Sequence, residues 1–131
     1  MTTQTFKTPK IAGYCVYFDD LLMTGLPHYR DNWDKYIKQN TAEIELHCDP
    51  ENQIDSNALV CSFEAKTLFG RKQLRLGFVD SYTANNIAEK GIFDLLILRP
   101  KRLFLGTLEN NQTVFSYYLI GPEDRYEDFF S

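Results

Sequence analysis

The residues able to do chemistry are few and widely spaced. There are only two histidines, His28 and His47, and three cysteines, Cys15, Cys48 and Cys61. In "HCD", residues 47–49, a strand would turn His47 and Asp49 to one face and Cys48 to the other, so the three cannot form a local triad. No HExxH, no paired metal-ligand spacing and no Gly-rich phosphate loop occurs. The sequence therefore predicts no catalytic residues, no metal and no cofactor. Binding chemistry is what remains. "HCDPENQIDSNALVCSF", residues 47–63, begins and ends like a strand but carries Asn52, Asp55 and Asn57 in a polar middle. Such side chains can fix a loop by bonding its backbone, and a carboxylate among them can accept a ligand hydroxyl. Two cationic clusters follow: Arg71, Lys72 and Arg75, then Arg99, Lys101 and Arg102. Both flank strand-like runs. Basic side chains beside aromatics suit the phosphates and base faces of a single strand; otherwise such clusters are solvated turns.

The elements that must position these residues are short. "KIAGYCVYF", residues 10–18, reads as a strand with Tyr14, Val16 and Phe18 on one face and Cys15 and Tyr17 on the other. Residues 26–40 change period: Tyr29, Trp33, Tyr36 and Ile37 fall at helical spacing among charged residues. Trp33 there reads as a core anchor, with base stacking as the alternative. "AEIELHCD", 42–49, alternates as a half-buried strand, with Ile44, Leu46 and Cys48 inward. Residues 57–65 and 72–80 are two further strands. "DSYTANNIAEKG" is a short helix with Asp80 or Ser81 as N-cap and Gly91 as its stop. Residues 92–109 read as strand, kink at Pro100 and strand, and 112–121 as a last strand. The predicted fold is mainly β (α+β): a small antiparallel six-stranded barrel with two short helices, preceded by an extended lead-in, 1–9, and followed by an acidic tail, 122–131. The body, 10–121, is one domain.

Composition excludes several classes. The 131 residues carry a formal charge of −4, and the tail "EDRYEDFFS" holds much of it. A near-neutral body argues against a strong, sequence-independent grip on long duplexes, which needs many Lys and Arg contacts to phosphate. The tail reads as disorder, or as a segment able to cover a basic groove. Three widely spaced cysteines form neither a disulfide framework nor a zinc site, and free thiols suit a reducing cytoplasm. No apolar run approaches a bilayer span, and no membrane partner is expected.

Three stretches together carry a family resemblance: "KIAGYCVYF", "ELHCDPENQIDSNALVC" and "RLGFVDSYTANNIAEKG". In order and spacing, over roughly residues 8–106, they resemble the HIRAN domain family. That resemblance implies an OB-like barrel and, as in characterised members, capture of a single-stranded DNA 3′ end. Aromatic rings there stack on terminal bases, a loop aspartate accepts a hydrogen bond from the free 3′-hydroxyl, and basic side chains hold phosphates. Carried onto this chain, Asp55 would read the hydroxyl, Asn52 would shape the loop or meet the terminal nucleotide, Tyr17 and Phe78 would stack, and Arg71, Lys72 and Arg75 would meet phosphate. A helicase, nuclease or other DNA-processing protein is the implied partner. Several family positions differ: Gln53 stands for a Pro, Ile54 for an aromatic, Cys15 and Val16 for an Arg and a Tyr, and Asp80 for a Pro. The shape-setting positions survive better than the DNA-contacting ones. The expected function is a non-catalytic DNA-binding module; the alternative is a protein-interaction module that kept the barrel and lost the site.

Overall fold

The computed structural model describes residues 2–39, 43–49, 51–107, 109 and 112–130. The expected helix end at Asn40, the expected strand start at Ala42 and the parts of the expected segments that include Met1, Pro50, Leu108 and Ser131 lie outside them. Seven strands and three α-helices follow in chain order: β1 (Thr2–Thr5), β2 (Tyr14–Leu22), α1 (Arg30–Lys38), β3 (Ile44–Cys48), β4 (Leu59–Thr67), β5 (Gly70–Phe78), α2 (Ser81–Lys90), β6 (Ile97–Leu105), β7 (Val114–Pro122) and α3 (Tyr126–Phe130). The fold is mainly β with helices, as expected. It is not a closed six-stranded barrel. Its strands form two open antiparallel sheets, ordered β1-β6-β7-β2 and β3-β4-β5.

The physical reason for the opening lies at the edge of β5. A register shift between Cys61 and Ser62 leaves one extra residue on β5 between Arg75 and Gly77. Beyond it, on the edge of β5 away from β4, Thr24 forms an isolated bridge to Phe78 through two backbone bonds of 2.9 Å. The carbonyls that a neighbouring strand would use are taken by α1 instead: Asn32 Nδ2 donates to Arg75 O at 2.8 Å and Trp33 Nε1 to Leu76 O at 3.0 Å. Helix side chains thus fill the place of a strand, and Trp33 satisfies a Leu76 carbonyl that burial would otherwise leave orphaned. Gly77 permits the approach, since a Cβ there would meet Thr24 O at 2.5 Å.

Helix α1 buries its aromatic face as its periodicity predicts. Trp33 and Tyr36 are fully or almost fully buried, and the Trp33 ring lies 5.0 Å from that of Phe115. Helix α2 starts and stops where the sequence signals it. Asp80 accepts bonds from Thr83 N at 3.0 Å and Thr83 Oγ1 at 2.9 Å, and Gly91 closes the end at φ 64°. Other elements depart from expectation. The polar lead-in supplies a strand, β1, paired with Thr2 opposite Leu105. The first expected strand runs instead over Tyr14–Leu22, and register shifts after Val16 and Phe18 break its alternation. Residues 93–95 form a 3₁₀ turn, and Pro100 sits at an irregularity within continuous β6 rather than between two strands. Cys61 is a buried thiol, as expected, but Cys48 is exposed because the inward face of β3 fades toward its end.

The tail is folded. A 3₁₀ turn at Glu123–Arg125 leads into α3, whose Phe130 ring lies 5.2 Å from Tyr17 and 5.4 Å from Phe18. Lys90 Nζ donates to Phe129 O at 2.8 Å and lies 5.0 Å over the Phe130 ring. Acidic composition suggested disorder; the three aromatics Tyr126, Phe129 and Phe130 overrule it by burying area against the sheet.

Two substitutions test the β5 seam. Gly77→Ala drives a methyl into backbone that cannot yield and is expected to lower stability by about 1–3 kcal/mol. Trp33→Phe keeps most of the packing but leaves the buried Leu76 carbonyl unpaired, a cost of about 1–3 kcal/mol. Urea unfolding should show lower midpoints with unchanged slope; wild-type midpoints would refute the assignment of the seam.

Candidate functional site

The residues singled out in the sequence do not assemble into one site. Tyr17 is buried under α3 at 6% exposure, its hydroxyl donates to Pro122 O at 2.7 Å, and its ring lies against the Gly121 backbone. With α3 in place it presents no face to a base. Phe78 is half-buried, packed near Gly25 and 6.3 Å from the Tyr29 ring.

The loop between β3 and β4 is held by its own polar side chains. Asn52 Oδ1 accepts from Ile54 N at 3.0 Å and Asp55 N at 2.9 Å; Asp55 Oδ1 accepts from Asn57 N at 2.9 Å. Asn57 Nδ2 then donates to Asn85 Oδ1 at 3.1 Å, tying the loop to α2. The loop-shaping roles expected for Asn52, Asp55 and Asn57 are present. Ile54 projects from this loop 99% exposed.

Two of the β5 cations are paired with acids. Arg71 Nη1 lies 3.2 Å from Glu64 Oε1, and Arg75 Nη1 lies 3.8 Å from Asp49 Oδ2, which sets Arg75 beside the loop. Lys72 is exposed and shares a face of the β4–β5 hairpin with Ala65, whereas Arg71 is cross-strand to Lys66 on the other face. The outer face of this three-stranded sheet also carries a chain of polar contacts: Ser62 Oγ donates to Gln73 Oε1 at 3.0 Å, and Gln73 Nε2 donates to Glu45 Oε2 at 3.0 Å.

A more strongly cationic surface lies on the other sheet. Residues 6–11 pass beside β6 and β7 and are tied down at three points. Phe6 N donates to Lys101 O at 2.9 Å, Arg99 Nη2 donates to Pro9 O at 2.7 Å, and Thr8 Oγ1 and the Tyr118 hydroxyl share a bond of 2.6 Å. Beside this strap runs a groove of about 420 Å³, walled by Ile11, Tyr14, Val16, Tyr118 and Ile120. It continues past Lys101 and Tyr118 into a second, more polar depression. Together they are lined by Lys7, Lys10, Arg99, Lys101 and Arg102, against the carboxylates Asp19 and Asp20. Lys101 Nζ bridges both acids, at 3.1 Å to Asp19 Oδ1 and 2.9 Å to Asp20 Oδ1. The Asp20 amide, donating to Asp19 Oδ1 at 2.8 Å, and then Lys101 hold the Asp19 carboxyl below the usual carboxylate range. The cluster Arg99, Lys101 and Arg102 was visible in the sequence. Its companions Lys7, Lys10 and Tyr14 were not, because only the fold brings the strap across from residues about ninety positions away.

Among the described residues no three His, Cys, Asp or Glu side chains converge so as to hold a metal ion, and no helix is long and apolar enough to cross a membrane. The folded-state Asp19 pKa is depressed, so its pairing stabilises the protein above the unfolded carboxylate value near 4 and is lost as the pH falls through the folded value. Carboxyl NMR titration should place Asp19 below the ordinary range, and Lys101→Ala should raise it only partway, because the backbone donor remains. An ordinary value in the wild type would refute the bridge. No family model, curated protein or solved structure matches this chain.

Proposed function

We propose that this chain is a non-catalytic module that binds single-stranded nucleic acid in the groove beside the 6–11 strap. One observation carries the reading: five of the 14 Lys and Arg residues of a net-acidic protein line one pair of adjoining depressions, walled in part by Tyr14 and Tyr118. Cations that follow a backbone, beside rings that take base faces, suit a single strand without sequence preference. Three free cysteines fit a reducing cytoplasm.

The resemblance to the HIRAN family adds a finer proposal, an OB-like ancestry and recognition of a DNA 3′ end, with a helicase or nuclease as working partner. Asp55 suits the hydroxyl reader only through the oxygen not already bonded to Asn57 N. The burial of Tyr17 and the pairing of Arg71 and Arg75 favour the second reading, a protein-interaction module that has lost the 3′-end site.

Fluorescence anisotropy separates these readings. Labelled single strands ending in a 3′-hydroxyl or a 3′-phosphate, and a blunt duplex, are titrated at low and physiological salt. Single strands should bind best, with an affinity that falls steeply with salt, by a logarithmic slope of about −0.7 per phosphate neutralised. Lys10→Glu with Arg102→Glu should weaken binding at least tenfold, and Tyr14→Ala by roughly 5- to 150-fold, the equivalent of about 1–3 kcal/mol for a lost base stack. Asp55→Ala should abolish only a preference for the 3′-hydroxyl. Absence of binding at low salt would leave the interaction reading.

A further inference from the structure

The β4–β5 hairpin ends in a feature its fold does not require. The turn is Thr67-Leu68-Phe69-Gly70, with Thr67 and Gly70 paired and Gly70 at φ 120°. Thr67 Oγ1 donates to Gly70 O at 2.8 Å and accepts from Phe69 N at 3.3 Å. Thr67 and Gly70 therefore supply the turn geometry. Leu68 and Phe69 supply none, yet they are 98% and 99% exposed, side by side at the tip. Polar residues would serve a turn better.

Charge surrounds this apolar tip. Lys66 and Arg71 are cross-strand partners, so two like charges sit directly opposite one another on one face, an unfavourable pair in the absence of an anion. Glu64 offsets Arg71 at 3.2 Å, and Lys66 has no ion-pair partner among the described residues. Lys72 stands on the opposite face, so cations flank both faces of the hairpin. The platform is held firmly: Gln39 donates through Nε2 to Lys66 O at 3.2 Å and accepts at Oε1 from Lys66 N at 3.0 Å, covering the edge of β4 beyond the start of β3.

We infer that the hairpin tip is a peripheral docking site for an anionic lipid bilayer, with Leu68 and Phe69 entering the surface and Lys66 and Lys72 meeting headgroups. Leu68 lies two positions beyond Lys66, roughly 7 Å of extended chain. Interfacial apolar groups bury to about 5–10 Å at the headgroup boundary. The cations thus stand at headgroup level when the tip is immersed. An uncharged apolar cleft on a protein would use the tip but not these cations. Nothing here depends on the nucleic-acid groove, which lies on the other sheet.

Flotation of the 131-residue chain with vesicles tests this. Vesicles of phosphatidylcholine mixed with phosphatidylserine should carry the protein at low salt, and phosphatidylcholine alone should carry little. Leu68→Ser with Phe69→Ser should reduce binding at least tenfold without altering the circular dichroism spectrum, because neither side chain contributes to the core. Lys66→Glu and Lys72→Glu should each weaken it about fivefold or more. Phe69→Trp should give a blue-shifted emission that brominated acyl chains quench, against the buried and unquenched Trp33. Lys10→Glu with Arg102→Glu should leave that quenching intact. Wild-type binding by the serine variant, vesicle binding lost only in the groove variant, or no vesicle binding at all would overturn the proposal; the last would leave a partner protein as the tip's occupant.

Discussion

The structure depends on how the two sheets meet where neither offers the other a full strand. At the end of β5, among the described residues, only Thr24 continues the ladder on its outer edge, and the Trp33 indole and the Asn32 amide take the next carbonyls back along the strand. A hydrogen bond from a fully buried Trp to a strand carbonyl is worth more than its net contribution in water, because the alternative is an orphaned acceptor inside the core. The same side chain packs on Phe115 of the other sheet. One residue therefore satisfies β5, anchors α1 and covers the four-stranded sheet. Closing the barrel by strand pairing here would require α1 to leave, exposing Trp33 and Tyr36.

Legibility followed locality. Helix α2 could be read to its ends, since Asp80, Thr83 and Gly91 lie within it or beside it and their capping chemistry needs no distant partner. The aromatic face of α1 was equally readable. Strand β1 was not: Thr2–Thr5 has no apolar alternation, and its strand geometry comes from β6, about a hundred residues on. Residues 14–22 misled in another way. Strict alternation would place Val16 and Phe18 together, but the register shifts separate them, leaving Val16 exposed and Phe18 packed under Phe130. Bulges of this kind depend on the opposing strand and leave no reliable mark in one sequence.

The acidic tail shows the same limit on a reading from composition. Its four carboxylates suggest solvation, while its rings decide the outcome. Tyr126 and Phe130 stack at 4.8 Å, and both meet Tyr17. The carboxylates need not be desolvated for this to happen: Asp128 pairs with Arg125 at 3.0 Å while remaining more than half exposed. Charge and aromatic burial are separable on a helix of this length, and net charge does not predict which wins.

The candidate sites are sorted by what their polar groups already do. Asn52 gives its carbonyl oxygen to two backbone amides, and Asp55 gives one oxygen to a third. These groups cannot serve a ligand at full strength without loosening the loop that presents them. Arg71 and Arg75 start from carboxylate partners that an incoming phosphate must displace. Around the strap the allocation differs. The structural bonds there use the Phe6 amide, the Pro9 carbonyl, the Tyr118 hydroxyl, one Arg99 nitrogen and the Lys101 ammonium, which bridges Asp19 and Asp20, while Lys7, Lys10 and Arg102 enter no ion pair among the described residues. Binding a polyanion at that surface costs little existing structure, and for that reason the weight of the functional reading moves from the polar loop that resembles a known family to a groove the sequence shows only in fragments.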